Sequence, residues 1–150
     1  MADLSNDPFD LDRFVRAQAA DYDRALSELR DGEKRSHWMW YIFPQIEGLG
    51  NSPMSLRYSI KSAAEARAYL GHPLLGPRLR ECTAVVHSIV GRSVLQIFGS
   101  PDALKLRSCA TLFASVSDEP VFEQLLRKYF NGQPDSETLR RLTPLLHRTP

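Results

Sequence analysis

Cysteine is scarce in this chain of 150 residues, which has only Cys82 and Cys109. Two cysteines exclude a disulfide-rich scaffold and a four-cysteine zinc site. Both fall on predicted apolar helix faces and are interpreted as small core residues, the alternative being a Cys109 thiol activated by Lys105 one turn earlier. The four histidines are far apart, and no glycine-rich phosphate loop is present, so we expect neither a metal site nor a cofactor.

The chain also lacks an excess of charge of either sign, because its 19 Lys and Arg nearly balance its 18 Asp and Glu, for a net charge of +1. Dedicated nucleic-acid binders usually show a basic surplus, so nucleic acid is not expected as a partner. The longest wholly apolar run is Trp38–Phe43, far short of the roughly 20 residues that span a bilayer, and a membrane partner is not expected either. The acidic opening MADLSNDPFD lacks the apolar stretch of a secretory signal. These features predict a cytoplasmic protein with reduced thiols.

Helical periodicity, by contrast, runs through most of the chain. Apolar side chains recur at a period of 3.6 residues between short loops rich in glycine and proline. We therefore predict an all-α fold, a compact single-domain bundle of about six or seven helices. Residues 1–10 are predicted to form a flexible N-terminal arm, and residues 11–147 the single helical domain.

Residues that favour helix ends predict several of the helix boundaries. Asp10 is predicted to cap the first helix and Gly32 to end it. Ser62 opens the capping-box pattern S-x-x-E, and Asp135 is predicted to cap the last helix. The apolar run Val94–Phe98 is too short for its periodicity to distinguish a strand from a helix, and both alternatives stay open.

The segment HWMWYIFPQ, residues 37–45, stands out because it holds both tryptophans and two further aromatic residues. A helix that is apolar on all sides must be covered on most of them, so one interpretation is a central core helix. In the other, its polar ends His37 and Gln45 frame an aromatic-lined pocket walled by Trp38 or Trp40, with Trp38 as the predicted stacking surface. Histidine exchanges protons near pH 7, and the glutamine amide offers both donors and an acceptor.

Two further segments carry polar groups that suit a ligand. Lys105 and Ser108 lie three residues apart on a predicted helix and would project together toward an anionic or polar group. The alternative there is a surface ion pair between Lys105 and Asp102. Ser52 and Tyr58 belong to a stretch rich in hydrogen-bond donors, for which the alternative is an ordinary solvated loop.

Four strings resemble a known bacterial family: HWMWYIFPQIEGLGNS, SLRYSIKSAAEARAYLGHPLLGPRLREC, IFGSPDALKLRSCATLF and KYFNGQPDSETLRRL. The most specific part is HWMW-x-x-FPQ, and the resemblance runs from Phe14 to Leu142. The family is the domain of unknown function numbered eighteen-ten, whose members are sometimes labelled calpastatin. The resemblance implies a compact, mainly helical domain and no established activity. Ala110 departs from the pattern, which has methionine at that position.

Three function classes compete, and the first is favoured. It is a small-molecule, nucleotide-like binding or processing domain, one version of which hydrolyses an N-glycosidic bond. The second is a protein-interaction module without catalysis, formed by Gly48–Ser59 and the last two helices. The third, a nucleic-acid binder, is disfavoured by the net charge. For the first class, the predicted catalytic residues are His37 and Lys105, and the predicted ligand-binding residues are Trp38, Gln45, Ser52, Tyr58 and Ser108. The sequence leaves open whether the protein is an enzyme and what its oligomeric state is.

Overall fold

A computed structural model describes residues 7–146, with side chains described as far as Thr143. Residues 1–6, most of the predicted N-terminal arm, and residues 147–150 lie outside the described part. Within residues 7–146 the chain forms α-helices and a single isolated β-bridge, which confirms the all-α prediction. The nine helices of this range exceed the predicted six or seven because three of them have six residues or fewer. They are α1 (Asp12–Arg30), α2 (Met39–Ile42), α3 (Pro53–Tyr58), α4 (Ala63–Gly71), α5 (Leu75–Ser88), α6 (Val94–Phe98), α7 (Asp102–Ser115), α8 (Pro120–Phe130) and α9 (Ser136–Leu146).

The N-cap position of α1 is Leu11, and Asp7 rather than Asp10 binds the N–H groups at the start of the helix, so the prediction of Asp10 as its cap is wrong. The Asp7 carboxylate accepts hydrogen bonds from the backbone N–H of Leu11 at 2.7 Å and of Asp12 at 3.0 Å. Asp10 instead adopts a left-handed φ of 52° in the turn before the helix. The predicted end at Gly32 is confirmed, because this residue has a φ of 75° just beyond the last helical turn.

The aromatic segment is core, but most of it is not helical. Only the four residues of α2 are helical, and Phe43 already leaves the helical region with φ −126° and ψ 73°. The cause is Pro44, whose ring disfavours helical geometry in the residue before it. The side chains of Trp38 and Phe43 are nevertheless fully buried, and Phe43 packs edge-on against Phe98 at a centroid distance of 5.9 Å.

A parallel β-bridge between Ile46 and Ile60 joins the loop after α2 to the segment after α3. The Ile60 N–H donates to the Gln45 carbonyl, and the Glu47 N–H donates to the Ile60 carbonyl, both at 2.8 Å. This bridge fixes the 45–50 loop beside α3, where it forms one wall of the cavity described below. The apolar run that the sequence left open, residues 94–98, is helix α6, opened by a capping box of Ser93 and Gln96.

Helix α5 packs against α1, α4 and α8, while α7 packs against α8 and α9. Its approach to α4 needs a glycine, because a Cβ at Gly76 would lie 2.1 Å from the Leu70 carbonyl oxygen. Among residues 7–146, no helix combines the length and apolar character that a bilayer span requires.

Arg13 and Glu65 form a buried ion pair that ties α1 to α4. The Arg13 Nη2 lies 2.7 Å from Glu65 Oε2, and both side chains are less than a tenth exposed. The guanidinium also donates to four backbone carbonyls at 2.8 Å, those of Phe9, Asp10, Arg57 and Ser59. The other oxygen of Glu65 accepts from the Lys61 N–H at 3.0 Å, so every polar atom of this pair is matched, as buried charges require.

Candidate functional site

An open cavity of about 390 Å³ lies where the 45–50 loop, α3, the first half of α7 and the start of α9 meet. Pockets for small molecules usually have volumes of roughly 300 to 1,000 Å³. Apolar and polar side chains share the lining. The lining residues are Trp40, Gln45, Ile46, Gly48, Leu49, Gly50, Ser55, Tyr58, Ser59, Pro101, Leu104, Lys105, Ser108, Asp135 and Glu137.

The structure brings four of the predicted site residues together around this cavity: Gln45, Tyr58, Lys105 and Ser108. Gln45 is held there by the β-bridge, and Tyr58 by the end of α3. Lys105 and Ser108 lie on one face of α7, as their three-residue spacing predicts.

The structure places the other three predicted residues outside the lining. His37 is exposed and does not border the cavity. Trp38 is fully buried, and its indole N–H donates to Glu28 Oε1 at 3.0 Å. Ser52 caps α3, its hydroxyl accepting from the Ser55 N–H at 3.1 Å. None of these three side chains therefore lines the cavity.

Trp40, and not the predicted Trp38, is the tryptophan that lines the cavity. It is half-buried, and lies with its ring centroid 5.5 Å from the Lys105 ammonium. A signal was present, because Trp40 lies in the same aromatic segment as Trp38, two residues further along the chain. Choosing Trp40 as the cavity residue requires knowing that the Trp38 indole is hydrogen-bonded to Glu28, a residue outside this segment.

Lys105 belongs to a three-member charge cluster. Its ammonium lies 3.5 Å from Asp102 Oδ1, the ion pair that was the alternative interpretation of this spacing. The other oxygen of Asp102 lies 2.8 Å from the ammonium of Lys34. Two lysines thus share one carboxylate, and the cluster carries a net charge of +1 at the edge of the cavity.

Several donors on the lining have no acceptor within the described part of the chain. The Trp40 indole and the Gln45 amide make no hydrogen bond there, and the Tyr58 hydroxyl only accepts, from Arg57 Nε at 3.3 Å. The Ser108 hydroxyl donates to the Leu104 carbonyl at 3.2 Å, which leaves its lone pairs free to accept. The cavity is therefore rich in groups that can bind oxygen acceptors of a ligand.

The far wall carries two carboxylates that are already engaged. The Asp135 carboxylate caps α9 by accepting from the Thr138 N–H at 2.9 Å, which confirms the predicted cap. Glu137 pairs with Arg140 and Arg141, each at 3.1 Å. The Arg141 side chain lies directly over the Gly48 backbone, since a Cβ there would be 2.1 Å from its guanidinium.

The two cysteines are both buried in the core, as interpreted from the sequence. Burial raises the pKa of the Cys109 thiol well above its ordinary value, which favours the unreactive protonated form. Cys109 therefore takes no part in the cavity. Within residues 7–146, no three His, Cys, Asp or Glu side chains come together as a metal site would require.

The family model described as "Protein of unknown function (DUF1810)" matches residues 8–142. The chain belongs to this family. A crystal structure at 1.38 Å shows a similar protein, the conserved hypothetical protein Rv1873 from Mycobacterium tuberculosis. The two chains share 55% identity and superpose with a TM-score of 0.90, over 91% of this chain and 98% of that one. None of the curated proteins matches the chain. The DUF1810 family thus accounts for the compact helical fold and carries no assigned activity.

Proposed function

We propose that this DUF1810 domain binds a small nucleotide-like molecule in the cavity beside Trp40. The observation that carries the proposal is the meeting of Gln45, Tyr58, Lys105 and Ser108 around one open cavity, although they lie on different elements of the chain. Side chains that converge on a cavity of ligand size are the usual mark of a binding site. The cytoplasmic location predicted from the composition forms part of the proposal.

The two sides of the cavity suit the two parts of such a molecule. Trp40, Ile46 and Leu104 offer apolar contact to a planar ring, and an indole stacks well on a base. The amide of Gln45 can recognise a polar edge through both a donor and an acceptor. The ammonium of Lys105 can meet a charged group. The proposal contains no catalytic step by His37, because that side chain lies outside the cavity.

Titration with adenosine 5′-monophosphate tests this proposal by calorimetry and by tryptophan fluorescence. Binding should release or absorb heat and quench the emission of Trp40, and the quench should disappear in Trp40→Phe, which keeps Trp38 as the remaining fluorophore. Gln45→Ala should weaken binding by about five- to tenfold, the usual worth of one or two lost hydrogen bonds. The matched control is Gln124→Ala, which removes an exposed glutamine of α8 that does not line the cavity.

Two results would overturn the proposal. One is the absence of any heat or fluorescence change with adenosine 5′-monophosphate, adenosine and ribose 5-phosphate at millimolar concentration. The other is equal affinity of Gln45→Ala and Gln124→Ala, which would place the bound molecule elsewhere on the protein.

A second candidate function, the protein-interaction module, is favoured by two exposed leucines. Leu56 on α3 is 55% exposed and Leu104 on α7 is 61% exposed, and both helices wall the cavity. Large apolar side chains at such a rim suit contact with another protein. A partner captured by the wild type but not by the double variant Leu56→Asp, Leu104→Asp would support this function. Equal capture by both proteins would contradict it.

A further inference from the structure

Lys34, which precedes α2 and does not line the cavity, has an unusually well covered side chain for a lysine. Its side chain is only 7% exposed, and burying an ammonium is costly unless it is paired. It donates to the Ser36 carbonyl, and its ammonium lies 4.9 Å from the centroid of the buried Trp38 ring. Its charge is balanced by Asp102 at 2.8 Å. These contacts fix Lys34 in place and direct its charge toward the first residue of α7.

The Asp102 carboxylate is therefore shared unequally between two lysines. Lys34 is the nearer, at 2.8 Å, and Lys105 the more distant, at 3.5 Å. Lys105 is also the more exposed of the two lysines, at 27% against 7%. The uncompensated positive charge consequently lies at Lys105, the member of the cluster that lines the cavity.

We propose that the ligand of this cavity carries an anionic group that binds Lys105, and that Lys34 is a positioning residue that keeps Lys105 available by occupying Asp102. This inference rests on the proposed function and adds to it the residue that keeps the positive charge of Lys105 available to the ligand. Phosphate and carboxylate groups share the required chemistry, because both accept several hydrogen bonds and carry negative charge. The donors of Trp40, Gln45 and Tyr58 that lack an acceptor suit the same class of ligand.

The reasoning predicts effects of opposite sign for two neighbouring substitutions. In Lys34→Met, Asp102 pairs with Lys105 alone, and the net charge of the cluster falls from +1 to zero. In Asp102→Asn, both lysines lose their counter-charge, and the net charge rises from +1 to +2. The affinity for adenosine 5′-monophosphate should fall about tenfold in the first variant and rise severalfold in the second, as expected for one charge beside a charged hydrogen bond. The affinity for uncharged adenosine should stay unchanged in both. If Lys34 and Asp102 had only a structural role, both substitutions would weaken the binding of both ligands.

The experiment compares adenosine 5′-monophosphate with adenosine on the full chain by calorimetry, at 20 and 200 mM salt, after circular dichroism has shown that each variant is folded. Lys34→Arg keeps the charge and should retain most of the affinity for the phosphate ligand. Arg127→Met is the matched control, since it removes an exposed cation of α8, away from the cavity, whose pair with Glu123 at 3.6 Å is more than half exposed. If either Lys34→Met or Asp102→Asn does not fold, the inference is tested by comparing the variant that folds with the wild type and with Lys34→Arg.

The outcomes separate this inference from the proposed function. If neither ligand binds the wild-type protein, both fail. If both bind the wild type equally, or if Asp102→Asn lowers the affinity for the phosphate ligand, the cavity still binds a nucleoside but the inference about its charge is wrong. A preference for the phosphate ligand that is lost in Lys34→Met, kept in Lys34→Arg and increased in Asp102→Asn supports it.

Discussion

Glu28 is expected to make the stability of this protein fall steeply in acid. Burial alone raises the pKa of its carboxyl group, but four hydrogen bonds outweigh that effect and lower the pKa to about 2, from an ordinary 4.5. The donors are the Ser36 hydroxyl at 2.6 Å, the backbone N–H groups of Arg35 and Ser36, and the Trp38 indole at 3.0 Å. All of them prefer the charged carboxylate as acceptor.

The sign and size of the effect follow from linkage between proton binding and folding. Because the folded-state pKa of Glu28 is the lower one, its contribution is complete above pH 4.5 and is lost as the pH falls toward 2. A pKa difference of this size corresponds to about 3 kcal/mol of unfolding free energy. In Glu28→Gln, the amide NH₂ would also face the Ser36 hydroxyl as a second donor. We expect this variant to be less stable by about 2 to 3 kcal/mol at pH 7.

Urea denaturation followed by circular dichroism at pH 7, 5, 4 and 3 measures this contribution. The difference in unfolding free energy between wild type and Glu28→Gln should be constant from pH 7 to 5 and then shrink as the pH falls. The control is Glu33→Gln, whose pair with Arg35 at 3.3 Å is more than half exposed, and which should change little at any pH. A wild-type advantage over Glu28→Gln that persists unchanged at pH 3 would refute the reasoning.

Three further predictions concern packing, a buried charge and the thiols. Gly76→Ala should lower the unfolding free energy by at least about 2 kcal/mol, because its Cβ would meet a backbone carbonyl at 2.1 Å, whereas Gly71→Ala, with no atom within 4 Å, should be neutral or slightly stabilising; equal urea midpoints for the two variants would count against this close approach. Arg13→Ala should cost about 3 to 5 kcal/mol, since it leaves a buried carboxylate without its partner, and a loss below 1 kcal/mol in the same assay would show that the pair is dispensable. Cys82 and Cys109 should resist a thiol reagent at pH 8 until the protein unfolds, because burial raises the thiol pKa, that of Cys82 to about 12; rapid labelling of the native protein would contradict their burial.

The helix ends that the sequence predicted correctly depend on a few neighbouring residues. Gly32 ends α1 through its own positive φ. Asp135 caps α9 by accepting a hydrogen bond from the N–H of Thr138, three positions later. Asp7 and Asp10 show where this kind of reasoning stops. Both are acidic residues just before α1, and the choice between them follows from the left-handed turn at Asp10. The pattern of residue types around Asp7 and Asp10 does not predict that turn.

The site was predictable only in part, for a related reason. The polar residues Gln45, Tyr58, Lys105 and Ser108 could be selected by their chemistry, but their meeting depends on the Ile46–Ile60 bridge and on the packing of α7. The choice between the two tryptophans depends on contacts made outside the aromatic segment. Periodicity describes one helix at a time, so it carries no information about which helices share a cavity.

The charged groups below the surface differ in whether their interactions are complete. The donors of Arg13 are distributed over Glu65 and four carbonyls, and Glu28 is matched by four hydrogen bonds, so neither group has capacity left for a ligand. Such complete networks hold the fold together. The cluster of Lys34, Asp102 and Lys105 is different, because its three charges do not cancel and the excess lies at the cavity. Because the Lys105 side chain is also 27% exposed, this excess charge is accessible to an anionic group from outside the chain, and we therefore place the charged part of the ligand there.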